Sequence, residues 1–550
     1  MILLIITAYF LVLLMVSRFT VRRSSNEVFF RGEKKSPWYL VAFGMVGASI
    51  SGITFVSVPG MVLHSNMTYV QTCLGFILGY VAVAFILLPI YYRQNLTTIY
   101  SYLSNVSPIA YKTGSSFFII SKLLGSAAKF YVPCFILSNA LGWNLTLTIM
   151  LLLLMVWLYT RKGGIKTLVW TDTIQTTSML LALLIIIYKV VVLVMEGQVM
   201  EGQVMGDGGM SFSEVISNLW SNPHSTVFNF SDFSSSTNFF KCFISGIFIV
   251  IVMTGLDQDM MQKNLTCKSL RDAQKDMTTY GFAFVPVNIL FLLLGVLLTM
   301  LYTKQGIALP EKADELVTMF CVGDTADILV LTLFTIGIIA ASFSTVDSAL
   351  TALTTSFCVD ILSGKTDEPQ DHTTEQPYNH KTEQPYNHKT EQPYNHKTEQ
   401  PYNRITEQPY NHKTEQPYNR KTEQPHNRIT ETTSERTRKV VHIAMTGALI
   451  LCVLLFDALN TTSLIDAIYT LMSYTYGPLL GLFAFAIFTK RKASGIGLPL
   501  ACIISPAICL ALSTYVPEYT GYHFGYELLL LNGMLTFAGL FLISKVRQSH

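Results

Sequence analysis

The chain has 550 residues, of which 51% are hydrophobic and only 13% charged, with a formal net charge of +3. Soluble chains carry about 25% charged residues, so the composition argues against an ordinary soluble enzyme, and so small a positive balance argues against a nucleic-acid partner. The nine Cys form no CxxC pair and lie mostly inside apolar runs, which reads as small buried hydrophobes rather than a disulfide framework or metal site.

In chain order, the apolar runs define thirteen candidate membrane spans: 2–17, 38–60, 69–92, 114–142, 144–160, 166–194, 237–263, 277–301, 327–357, 439–457, 464–489, 496–516 and 524–545. Crossing a hydrocarbon core of about 30 Å takes roughly 20 helical residues. The first run, Met1 to Ser17, is followed by its positive charges, Arg18, Arg22 and Arg23. A signal peptide has the opposite order, so this run reads as a retained helix with its N-terminus outside. Alternate loops from there hold Arg31, Lys34 and Lys35, then Arg161 and Lys162, then Lys263, Lys268, Arg271 and Lys275, then Lys490, Arg491 and Lys492, and the tail adds Lys545 and Arg547. The other loops are poor in basic residues. The positive-inside rule then predicts a multi-pass protein of the cell inner (plasma) membrane, with an external N-terminus and a cytoplasmic C-terminus. The lipid bilayer is its first partner.

Five segments follow: 1–37, 38–263, 264–365, 366–436 and 437–550. Within the second, residues 195–236 form an external loop with a small duplication, Glu196-Gly-Gln-Val-Met and then Glu201-Gly-Gln-Val-Met. From Thr374 to Ile429 the chain repeats TEQPYNHK, with small variations, seven times at a period of eight. Each unit has a Pro and almost no aliphatic residue, so it cannot offset its ordering entropy by burial. Segment 366–436 is therefore expected to be a disordered cytoplasmic loop. His380, His388, His396 and His412 suit either metal chelation or an expanded tandem DNA repeat.

Three intramembrane stretches carry chemistry. Gly44-Met-Val-Gly-Ala-Ser-Ile-Ser-Gly52, with Thr54, Ser57 and Pro59-Gly60, interrupts a span. It fits a broken helix whose freed carbonyls meet an ion, and equally close packing through small residues. In Ala340 to Ser348, residues Ala341, Ser344, Thr345 and Ser348 share one helix face. Their hydroxyls and carbonyls are hard oxygens suited to a hard monovalent cation, or they bond back to the helix. Asp347 beside them needs a partner at that depth. The third stretch, Gly163 to Gln175, places Asp172 about two turns into a helix, as an ion ligand or as a carboxylate favoured by the helix dipole.

Taken together, these stretches resemble the sodium:solute symporter family. The matching pieces are GASISG with its PG, GGIKTLVWTDTIQ, Gly255-Leu-Asp-Gln-Asp-Met-Met-Gln262, and ASFSTVDSAL ending near Val359-Asp360. The resemblance implies an all-α, leucine-transporter-like fold of two five-helix inverted repeats, with one helix before and two after. The first repeat and the start of the second would fall in 38–263, and the rest of the second, to the late sodium-site helix, in 264–365. It implies no enzyme activity, Na+ as coupling ion and a small-molecule solute as partner. It also carries over a sodium site made of carbonyls of Gly47, Ile50 and Ala341 and hydroxyls of Ser344 and Thr345. A second cation site falls on Asp172, Asp347 and Ser348, with Asp347 standing where a hydroxyl is usual.

For the solute the resemblance points to Ser51 and Thr54, with Gln71 on the next span and Lys129 on span four. Lys129 favours an organic anion, such as a sialic-acid-like sugar acid or another carboxylate, unless it snorkels or pairs with an internal Asp. Phe248 to Met253 lacks the Asn and Tyr of sugar-binding members, which weakens a neutral-sugar reading. A membrane sensor or channel on the same scaffold is the alternative from another class.

Overall fold

In hydrocarbon, backbone N–H and C=O groups must be satisfied within the chain, so apolar runs of this length become helices. The computed structural model describes residues 2–21, 24–196, 199–200, 203–204, 209–231, 233, 235–323, 327–363, 433–459, 464–522 and 524–546. Fifteen helices concern the site and its frame: α1 (Ile2–Thr20), α2 (Trp38–Ser49), α3 (Gly52–Gly60), α4 (Tyr69–Ala82), α5 (Pro108–Leu141), α6 (Leu145–Thr160), α7 (Ile165–Met195), α8 (Phe239–Val250), α9 (Gln258–Asn264), α10 (Leu270–Gln305), α11 (Ile328–Ser356), α12 (Glu435–Leu459), α13 (Leu464–Phe488), α14 (Gly497–Thr520) and α15 (Glu527–Ile543). Strands among the described residues are two short antiparallel pairs, Val199–Met200 with Gln203–Val204 and Arg491–Lys492 with Lys545–Val546.

Among the described residues, eight helices are long and apolar enough to cross a membrane, and counting each of two bent pairs as one span raises this to ten. Shorter apolar helices cover Leu145–Thr160, Met472–Phe488 and Glu527–Ile543. The all-α membrane class expected from the sequence is therefore what the structure has. Helix starts move where a cap dictates them. α5 begins at Pro108, six residues before the apolar run, because Ser107 accepts the Ala110 N–H at 3.1 Å and proline suits the first helical position. α10 begins at Leu270, where Ser269 accepts the Asp272 N–H at 3.2 Å. Residues 364–432, with the octapeptide repeats and their His residues, lie outside the described residues.

The centre and the rim differ sharply. The apolar windows of the α10 and α11 spans are 72% and 67% buried, against 17% for α1 and 22% for α14. α11 is the hub: it packs on α5, α7, both halves of the α2/α3 pair, and α9. Eight of the nine cysteines are buried and all are free, as their apolar settings imply.

Candidate functional site

The site begins at two breaks. α2 and α3 meet at a bend of 62°. Ile50 and Ser51 are extended there, with ψ of 105° and 168°. Ser51 Oγ accepts the Thr54 N–H at 3.3 Å and Thr54 Oγ1 accepts the Ser51 N–H at 3.2 Å, a reciprocal cap that restarts the helix. The Gly47 carbonyl accepts the Ile50 N–H at 3.1 Å. A Cβ on Gly47 would lie 1.9 Å from Thr176 Oγ1 of α7, so glycine is what lets α2 lie against α7.

On the facing helix, Thr345 Oγ1 donates to the Ala341 carbonyl at 2.9 Å and Ser344 Oγ donates to Asp172 Oδ1 at 2.9 Å. Each hydroxyl has spent its proton and keeps lone pairs, which is the state in which a hydroxyl ligates a cation. Thr345 lines the same cavity as Ala48 and Ser51, so α11 and the first break face a common space.

Asp172, Asp347 and Ser348 divide between two clusters of contacts. Asp347 Oδ2 accepts the Tyr159 hydroxyl at 2.6 Å, and its Oδ1 accepts Ser348 Oγ at 3.3 Å. Asp172 Oδ2 instead lies 2.7 Å from Lys263 Nζ, with both side chains almost wholly buried. Lys263 thus departs from its reading as a cytoplasmic loop residue: it sits near the end of α9, 1% exposed. The positive-inside rule counts a basic residue at a span end without seeing that the chain turns inward there.

That turn is the second break. α8 runs through a π-helical turn, Ile251–Gly255, and α9 leaves at 70°. Asp257 caps α9, its Oδ1 accepting the Asp259 N–H at 2.8 Å. Lys122 of α5 bridges Asp257 Oδ2 at 3.0 Å and Asp259 Oδ2 at 2.7 Å, and the Tyr476 hydroxyl donates to Asp257 at 2.8 Å.

Between the breaks lies a cavity of about 150 Å³. Ser51, Thr54 and Lys129 line it, as do Lys122, Asp257, Asp259 and Tyr476. Among the described residues, Lys129 has no ion-pair or hydrogen-bond partner, whereas Lys122, two turns before it on α5, holds two carboxylates. Gln71 stands apart from the cavity. Its amide donates to the carbonyls of Thr68 at 3.2 Å and Thr237 at 2.9 Å and accepts the Asn229 N–H at 3.1 Å, which fastens Asn229 and Thr237 to α4.

Sequence reasoning missed Lys122, Asp257, Asp259, Lys263 and Tyr159. The signal for the first was present: Lys122 and Lys129 are spaced i, i+7 on one apolar helix, and an intramembrane Lys asks for an acid.

The sodium:solute symporter family model matches residues 29–377. The human sodium/iodide cotransporter is 26% identical over 255 residues, covering 46% of this chain and 37% of that protein. The sodium/sialic acid symporter NanT of Aliivibrio fischeri is 25% identical over 353 residues, covering 62% of this chain and 66% of that protein. The match thus spans between about a third and two thirds of these curated relatives. A solved Na+-coupled sialic acid symporter, in a substrate-bound outward-open state, superposes with a TM-score of 0.72 at 18% identity, covering 98% of this chain and 97% of the other. That superposition gives the fold, and the family model gives the lineage: this chain belongs to the sodium:solute symporter family.

Proposed function

We propose that the protein is a sodium-coupled secondary active symporter that imports a small organic acid by alternating access. A sialic-acid-like sugar acid or another carboxylate is the class of solute. The observation that carries this reading is Lys129, a cation in the cavity wall with no partner among the described residues. Asp257 and Asp259 in the same wall are bridged by Lys122, so the half-buried Lys129 ammonium is left with no bonded carboxylate and gains from one that enters. A neutral sugar would supply no such partner. The sialic acid symporters among the relatives support the same class.

Na+ is held by the carbonyls of Gly47, Ile50 and Ala341 and the hydroxyls of Ser344 and Thr345. It ties the first broken helix to α11 and favours the outward-open form. Coupling is the ion's differential affinity for the two forms. The membrane potential adds about 2.3 kcal/mol per charge per 100 mV. The chain crosses the cell inner membrane thirteen times, with its N-terminus outside and its C-terminus in the cytoplasm. The bent pairs open two inverted five-helix repeats, which fits their places as the second and seventh spans.

The test is uptake into proteoliposomes, with and without an inward Na+ gradient, across labelled sugar acids, short carboxylates and neutral hexoses. Uptake of an acid should require the gradient. Lys129→Ala should raise the KM for the acid about tenfold, the equivalent of ~1.4 kcal/mol, and leave the Na+ half-saturation nearly unchanged. Gradient-independent uptake, or equal transport of a hexose, would overturn the proposal.

A further inference from the structure

The reading above gives no role to Lys263. Its ammonium lies 2.7 Å from Asp172 Oδ2 in a fully enclosed setting, and the other oxygen of that carboxylate accepts the Ser344 hydroxyl at 2.9 Å. No other Lys or Arg contacts Asp172 or Asp347 among the described residues.

Charge balance follows from these contacts. Asp172 already holds its counter-charge: one carboxylate oxygen faces the Lys263 ammonium and the other accepts the Ser344 hydroxyl. A second cation at this carboxylate would meet a neutralised group and would have to displace the ammonium.

We infer that Lys263 is a tethered cation, seated beside Asp172 where a second sodium ion would otherwise bind, so that the protein binds one Na+ per transport cycle. The inference rests on the sodium-coupled reading. It also makes Lys263 a positioning residue. By neutralising Asp172 without displacing Ser344, it keeps the Ser344 proton directed at the carboxylate and the lone pairs of that oxygen available to the ion. A compact ammonium on a flexible stem suits this place better than a planar guanidinium, because it presents a point charge as sodium does.

The test is equilibrium binding of radioactive Na+ to the purified protein in lipid nanodiscs, where no solute has to be known. The wild type should bind one Na+ per chain with a Hill coefficient near one. Lys263→Met should open the seat, giving two Na+ per chain and a Hill coefficient above one, whereas Lys263→Arg should stay at one. The double variant Lys263→Met/Asp172→Asn removes seat and ammonium together and should return to one, and it carries the test if the single variant does not fold. Two ions on the wild type, a folded Lys263→Met that binds one ion with unchanged affinity, or two ions on the double variant would each overturn the inference. A wild type that binds no Na+ at all would remove the sodium-coupled reading and this inference with it.

Discussion

The two broken helices solve the same problem with different chemistry. At the first, between α2 and α3, the freed backbone groups are met by neutral partners, the reciprocal hydroxyls of Ser51 and Thr54. At the second, between α8 and α9, they are met by charge: Asp257 caps the helix, Lys122 answers Asp257 and Asp259, and Lys263 reaches Asp172. A neutral break leaves no fixed charge beside the proposed ion seat, which suits an ion that must also depart. A charged break is expensive to disturb, because every buried charge that loses its partner keeps its desolvation cost.

The largest effect expected from this contrast is at the charged break. Asp257→Ala removes the cap, the Tyr476 hydrogen bond and one arm of the Lys122 bridge. Breaking a buried ion pair typically costs about 3–5 kcal/mol. The low end applies here, because Asp259 keeps hold of Lys122. Thermal unfolding in detergent checks this, and a loss as small as that of a neutral cap would erase the distinction. Next come Ser344→Ala and Thr345→Ala, each of which removes one of the five proposed oxygens. Each should raise the Na+ concentration for half-maximal uptake about tenfold, or ~1.4 kcal/mol, with little change in unfolding temperature. Unchanged Na+ dependence in both would dismiss the ion seat at the neutral break.

Ser51→Ala tests the neutral cap itself and should cost about 1 kcal/mol of stability. The smallest effect is at the partly exposed Glu33–Lys166 pair, 2.6 Å apart with about a third of each side chain exposed. The hydrogen bond from Lys166 holds the Glu33 carboxyl below the usual carboxylate range. A depressed carboxylate stabilises the fold above its unfolded pKa, and the contribution is lost as pH falls through the folded one. Solvent screening limits it to roughly 0–1 kcal/mol. Glu33→Gln should therefore lower stability slightly at neutral pH, and the gap to wild type should close in acid.

The same contrast explains what could be read from the amino acids alone. Span positions and the all-α class follow from apolar runs, whose signal is local. The first break announces itself by Gly and Ser packed into nine residues of an otherwise apolar run, Gly44 to Gly52. The second has no such composition: Gly255-Leu-Asp-Gln-Asp falls inside a single expected span, 237–263, and only the 70° turn shows its two carboxylates facing α5. Lys263 was hidden for the same reason. Ser51, Thr54 and Lys129 reach the cavity, but Gln71 is taken up by the carbonyls of Thr68 and Thr237 and by the Asn229 N–H, a competition between distant segments that no local pattern reveals.

The seven-residue helix α9 deserves one further consequence. Asp257 and Asp259 stand at its start, in the cavity wall, and Lys263 stands near its end, against Asp172. Seven residues span about 10 Å, too short for an internal hinge. A push on the carboxylates at one end is therefore a displacement of the ammonium at the other, in the same movement. Such a lever leaves little room for slippage. In the proposed symport cycle, an ion passing without solute would have to move Lys263 while Asp257 and Asp259 stay clamped on Lys122, so tight coupling would rest on the stiffness of about two turns of helix as well as on binding strength.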